Sequence, residues 1–421
     1  MRKDKSILVT SAAVMTLLFA GSSTVLAQGV ADSLIRADRQ QTEQKAAAAP
    51  AAVTQKPAIK SMKVAESLLQ DVVRVGSRLV AVGDRGHIIW SDDSGHSWNQ
   101  ADVPTRQMLN AVFFVNENKG WAVGHDGLVL MTRDGGKTWE LQLDGLKFVR
   151  QQAADQLPSI TADIDKLKAE LAAAENACAV AEEQGKEDLI AQDSVTDIQD
   201  KIDRQEEALS DAEAALKETV APPLMDVWFA DENTGFAVGA FGQFMKTTDG
   251  GVLWQSATAL LDNPEKGHLN AITGMGKTLF IAAEAGRIFR SQDGGNTWTL
   301  LPSPDPENGS FFSISFLDSD KQVLLLGLRG AMYRSKDQGD TWKKVDEKLH
   351  KNMNAAFLGA NDVVLAVGND GAFLRSRDDG ITFQDHIQAD RMTLTSAVES
   401  PDGNYVLVGS GGVKIIVPSS L

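Results

Sequence analysis

The chain of 421 residues holds one cysteine, Cys178, so an exported fold has no intramolecular disulfide to rely on and a large apolar core must suffice. That lone thiol cannot build a cysteine zinc site. The six histidines, His87, His96, His125, His268, His350 and His386, show no close pairing, so nothing calls for a metal. Positive charge is also short: 41 Lys plus Arg face 57 Asp plus Glu, a balance of −16 that excludes nonspecific binding to nucleic acid or to an anionic membrane surface. Glycine-rich runs such as "GGVLW" lack the Lys-Ser or Lys-Thr of a phosphate loop, and no cofactor is implied. Long apolar runs are missing beyond the N-terminus, which leaves no further candidate for a membrane span.

The N-terminus has a basic start, an apolar stretch and then Val25, Leu26 and Ala27, the pattern of a signal peptide over residues 1–27 cleaved before Gln28. Ser, Thr and Gly interrupt the apolar run, which favours cleavage over an uncleaved anchor. No cysteine follows it, which excludes lipoprotein anchoring. Residues 28–56 are polar with an Ala/Pro run and read as a flexible linker. Together these segments place the chain in the periplasm.

What is abundant is repetition. "TRDGGKTW" at 132–139 has five counterparts, at 91–98, 247–254, 291–298, 335–342 and 376–383, each with Ser or Thr, an Asp two later, a Gly two further and an aromatic three beyond. The Asps are Asp93, Asp134, Asp249, Asp293, Asp337 and Asp378. This is hairpin chemistry: Asp accepts from the turn's own amides and Gly supplies positive φ. Upstream lies a second motif, "AVGDRG" and six relatives, whose second small residue falls at Gly83, Gly124, Gly239, Ala283, Gly327, Gly368 and Gly409. The spacing is 41 to 44 residues except for one interval of 115, which marks an insertion of about 74 residues. Four short strands per period of about 40 residues predict an all-β, seven-bladed β-propeller. The last unit supplies three strands, and residues near 57–64 are expected to add the outer one and latch the ring.

The S/T-x-D-x-G-x-T-W octets resemble the Asp-box, or BNR repeat, of sialidases and related propellers. Coupled to an upstream V-G-x-x-G, they are similar to the photosystem II stability/assembly factor family, which includes many exported proteins of bacteria that do no photosynthesis. The resemblance covers about residues 65–418 outside the insertion. It implies a noncatalytic accessory or assembly role for a membrane-protein complex, with RND-type exporters as partners in nonphotosynthetic bacteria. A sialidase would need an arginine cluster and a tyrosine nucleophile, but of the two tyrosines Tyr333 is expected on a third strand away from the channel and Tyr405 at the start of a second strand on the octet side.

The insertion, residues 146–222, changes period. Ile160, Ile164, Leu167, Leu171, Ala174, Cys178 and Ala181 form one heptad seam, and Val195, Ile198, Ile202, Gln205, Leu209, Ala212 and Leu216 a second. An antiparallel coiled-coil hairpin follows, turning around Gly185, with Ser194 and Asp197 as the cap of its second helix. Helices of 22 to 27 residues would project roughly 35 to 40 Å. Residues 151–220 carry 18 acidic against 6 basic side chains, so the hairpin holds −12 of the charge. It is a solvated face or a docking arm for a basic partner.

The domain reading is therefore 57–145 for the closing strand and blades one and two, 146–222 for the hairpin and 223–421 for blades three to seven. The V-G-x-x-G turns should ring the channel mouth on the face from which the hairpin rises. Candidate partner-binding residues are Asp84, Arg85, His125, Asp126, Phe241, Glu284, Arg287, Arg329, Asn369 and Asp370. The function expected is noncatalytic: a scaffold for the periplasmic portion of an inner-membrane complex. The rival is a glycoside hydrolase or glycan-binding propeller, in which Asp126 with Glu284 or Asp370 would act as paired carboxylates.

Overall fold

A computed structural model describes residues 56–420 except 186–188, 308, 318–320 and 347. The signal peptide and nearly all of the linker lie outside the described residues. Strands pair into seven antiparallel sheets, six of four strands and one of three, each in simple sequence order. Four residues or so of alternating or fully apolar character per strand, with glycine turns between, leave no local option but meanders. The inner strands are Leu69–Val75, Leu109–Phe114, Leu224–Phe229, Leu269–Met275, Phe311–Phe316, Met353–Leu358 and Leu394–Glu399. Each touches the next, and the last touches the first, so the sheets form a propeller-like ring.

The core is correspondingly divided into seven apolar wedges, each between consecutive sheets. Val75, Val80, Val82 and Ile88 of the first sheet meet Leu109, Val112, Ala122 and Leu130 of the second. Leu69, Val72, Ala81 and Ile89 meet Val408 of the seventh. No single centre holds the ring; burial between neighbours does.

The expected latch is corrected. Among the described residues the seventh sheet has three strands, and residues 57–61 lie along the outer edge of the first sheet instead. Ala58 N–H donates to Val103 O at 2.9 Å, and Lys60 Nζ donates to Gln100 O at 2.8 Å and pairs with Asp102 at 2.7 Å. Pro57 has no N–H for a ladder, and the Lys60 ammonium finds its acceptors on that edge. The ring closes through inner strands, with Thr395 Oγ1 donating to Leu69 O at 2.8 Å.

The six octets join third to fourth strands and share one hydrogen-bond pattern, except that Leu253 replaces the hydroxyl donor to the Asp Oδ2 in the third. In the first, Ser91 Oγ donates to Asp93 Oδ1 at 2.7 Å, Gly95 N to Ser91 Oγ at 2.9 Å and Ser97 Oγ to Asp93 Oδ2 at 2.6 Å. The Ser97 hydroxyl and amide hold the Asp93 carboxyl down at about 2. The octet glycine has a second task. At Gly295, with φ +83°, a Cβ would lie 2.2 Å from Phe236 Cζ of the preceding sheet, so the turn is pressed against its neighbour.

Within the insertion, α1 spans Gly145–Glu183 and α2 spans Leu189–Lys217, 39 and 29 residues or about 58 and 44 Å, longer than the seams alone suggest. The seams do pack: Ile164 and Ile202 are buried, and Cys178 is half-buried as a free thiol. Two details differ. Ser194 is not a cap but sits a turn inside α2, its hydroxyl donating back to Ile190 O at 2.8 Å, because Leu189 and Ile190 extend the helix towards the turn. Leu216, at the base, is 37% exposed.

Candidate partner-binding face

Each V-G-x-x-G turn is tied to the entry of its own inner strand by one backbone bond. Asp84 N donates to Leu68 O, His125 N to Met108 O, Ala240 N to Pro223 O, Glu284 N to His268 O, Leu328 N to Ser310 O, Asn369 N to Asn352 O and Ser410 N to Thr393 O, all at 2.9 to 3.1 Å. At Gly83 the approach leaves no room for a side chain, since a Cβ would lie 2.2 Å from Leu68 O, whereas the fourth turn makes the same bond with Ala283 in that place. The turns then place a second residue at positive φ, exposed at Arg85, Phe241, Arg329 and Asp370 and half-buried at Asp126.

The candidate side chains are largely occupied by local partners. Arg85 lies 3.3 Å from Asp84, Arg329 lies 3.9 Å from Glu307, and Asp370 is 2.5 Å from Lys351, whose ammonium holds the Asp370 carboxyl below its usual range. Arg287 is fixed by Glu265 and by Asn263 Oδ1 at 2.6 Å. Glu284 lies 3.6 Å from His268, and Asn369 Oδ1 accepts from Asn354 Nδ2 at 3.0 Å. Asp126 accepts from Gln107 Nε2, and burial raises its carboxyl. His125 stays exposed. Among the described residues no hydrogen bond or ion pair joins candidates of different turns. Neither Glu284 nor Asp370 is paired with Asp126.

Phe241 stands apart. It is 62% exposed at φ 55°, a backbone region costly for a bulky side chain, and its ring meets His268 edge-on at 5.0 Å. The hairpin flanks it. Gly145 opens α1 directly on the second turn, where a Cβ would lie 2.4 Å from Asp126 O, and Asp144 caps the helix by accepting from Lys147 N at 3.2 Å. Asp211 of α2 pairs with Lys266 at 3.0 Å, in the loop that enters the fourth sheet beside His268.

Sequence reasoning missed the carboxylates of the inner strands. Asp71 Oδ1 accepts from Val72 N at 2.8 Å and Oδ2 from Val112 N of the next sheet at 3.0 Å. Asp226 accepts likewise from Val227 N and Ile272 N, both at 2.8 Å. Both carboxyls are raised by burial, Asp226 to about 7 with help from the Asp71 charge. A signal existed: this third inner-strand position is Ala or Ser in the other five repeats ("LNA", "LNA", "FFS", "MNA", "LTS") and Asp only here. Asn110, Asn270 and Asn354, one position earlier, donate to Leu224 O, Phe311 O and Leu394 O of the following sheets at 2.7 to 2.8 Å.

Among the described residues no three His, Cys, Asp or Glu side chains are grouped to hold a metal ion. No described helix is long and apolar enough to cross a membrane.

Residues 90–163 and 205–415, more than half of the chain, match the family described as photosynthesis system II assembly factor YCF48. The chain belongs to this family. One relative is the photosystem II assembly lipoprotein Ycf48 of Synechococcus sp. (strain CC9902), 39% identical over 84 residues, which are 20% of this chain and 25% of the relative. The alignment thus spans about a quarter of that curated relative. Among solved structures, "YCF48 bound to D1 peptide" superposes with a TM-score of 0.53 at 15% identity, covering 83% of this chain and 92% of that one. The WD40 β-propeller domain of Doa1 gives 0.53 at 9% identity over 87% and 96%. At such identities the likeness is one of fold: a β-propeller-like ring, here with a helical hairpin inserted. The YCF48 family is one of assembly factors and not of enzymes.

Proposed function

We propose that this chain is a periplasmic, noncatalytic scaffold that holds the extracytoplasmic portion of an inner-membrane protein complex, with an RND-type exporter as the candidate partner. In this reading the seven sheets are the blades of a closed propeller, the octets are Asp-boxes acting as structural staples, and residues 1–27 are a cleaved signal peptide. The single observation that carries it is Phe241: an aromatic ring 62% exposed on a backbone of φ 55°, flanked by His268 and by the base of the acidic hairpin. Residues held in sparse backbone regions on an exposed face are a mark of recognition sites. The exposed cationic tips Arg85 and Arg329 and the hairpin charge supply the polar rim that a protein interface uses. A solved family member is described as bound to a D1 peptide, which accords with a polypeptide ligand. Locally neutralised Asp370 and Arg287, and Asp126 engaged by Gln107, give the glycan-cleaving alternative no support.

The test is affinity capture from detergent-solubilised envelope with the intact chain and with a form whose residues 150–220 are replaced by a short loop. Capture of one inner-membrane complex by the intact form, lost without the hairpin or with Phe241→Ala, is the expected result. Failure of the intact form to retain any membrane protein overturns it, and turnover of a glycan abolished by Asp126→Asn would replace it.

A further inference from the structure

Third strands of successive sheets carry a cation that reaches forward to the next octet. Arg290 Nη1 donates to Gln338 O at 2.7 Å and pairs with Asp340 at 2.6 Å; Arg334 Nε donates to Asp379 O at 2.5 Å. Arg375 is the equivalent residue of the sixth sheet, and the seventh sheet has neither octet nor fourth strand among the described residues. Arg375 is 8% exposed and its Nε has no hydrogen-bond partner. Beside it, His386 Nε2 is buried and equally unpartnered. The Arg375 charge is felt at His386 and at Tyr405. Tyr405 is the cross-strand neighbour of Ile416 on the seventh sheet's outer strand, Gly412–Ile416. Two unsatisfied buried nitrogens thus stand near a sheet edge that carries no fourth strand among the described residues and is packed only at its Gly412 end, by Val64 and Ala65, a combination that folded proteins rarely leave uncovered.

We propose that the outer edge of the seventh sheet is a docking site for an extended acidic segment of a protein partner, which adds a fourth strand along Gly412–Ile416 and places a carboxylate on Arg375 and His386. Main-chain bonds to the open strand supply affinity, and the carboxylate supplies selectivity. The chain itself shows the mode on its first sheet, where residues 57–61 lie on the outer edge and Lys60 answers Asp102 with complementary charge. Residues 28–55 balance three acidic side chains against three basic ones, so a segment of net negative charge has to come from a partner. This edge is separate from the face around Phe241, so the two readings stand or fall independently.

The probe is a fluorescein-labelled peptide of four Val-Glu repeats, titrated into the full chain while hydrogen exchange is followed. Saturable binding, slowed exchange at Gly412–Ile416 and at least a tenfold loss with Arg375→Met are expected. The same peptide N-methylated at alternate residues keeps its carboxylates but cannot pair with an edge, and should not bind; this control needs no change to the protein. Equal binding of the N-methylated or of a Val-Lys peptide overturns the proposal. So does an unchanged affinity in Arg375→Met, or an edge already protected in the free chain, which would mean that another segment or a second copy occupies it.

Discussion

Asp226→Asn should change sign with pH. The Asp226 carboxyl moves from 3.8 to about 7 on folding, chiefly through burial. An acid whose folded value is raised binds its proton more tightly in the native state. Folding is therefore favoured below the unfolded value, loses stability as pH rises from about 4 to about 7, and levels off above. At about 1.4 kcal/mol per tenfold change in proton affinity, ionisation costs about 4 kcal/mol by pH 8. Asparagine cannot ionise, but it offers one acceptor where Val227 N and Ile272 N now use two oxygens. Leaving one of these amides unpaired costs about 1 to 3 kcal/mol. The variant should accordingly be less stable than the parent by about 1 to 3 kcal/mol at pH 4 and more stable by a similar amount at pH 8. Urea unfolding at the two pH values measures this directly. An equal loss at both would mean that the carboxyl is not raised in the folded ring and would refute the reasoning.

Other perturbations follow from the same geometry. Asp293→Ala removes acceptors for Ser291 Oγ, Thr297 N and Thr297 Oγ1, whereas Asp249 faces Leu253, which has no hydroxyl. At about 1 kcal/mol per turn bond, Asp293→Ala should lose about 1 kcal/mol more than Asp249→Ala in chemical denaturation. Gly295→Ala drives a methyl into Phe236 at a φ of +83° and should cost about 3 kcal/mol or more, read as a fall in melting temperature. Ile164→Asp should unwind the hairpin at its buried seam, lowering far-UV helicity while the near-UV signal of the ring tryptophans stays unchanged.

Local pattern accounts for much of the molecule. The period of about 40 residues, the six octets and the two seams place the seven sheets and the hairpin, because turn chemistry and side-chain periodicity act over a few neighbouring residues. The candidate face was legible only in part: the turn motif located Arg85, Asp126, Phe241 and Arg329 at positive-φ sites, but the ion partners Lys351, Glu307 and Glu265 carried no signal of their own.

What tertiary structure alone decided lies between the sheets. Residues 57–61 chose the first sheet's edge over the seventh because acceptors there answer Lys60, a matter of three-dimensional neighbours about 40 residues apart. The inner-strand carboxylates became staples between sheets only when the ring placed Val112 N and Ile272 N opposite them. The octet glycines likewise answer to a preceding sheet as much as to their own turn. Propensity and spacing set each unit, since they depend on adjacent residues; closure of the ring and the fate of its polar groups depend on contacts spanning up to 326 positions, as between Thr395 and Leu69, which no local pattern records.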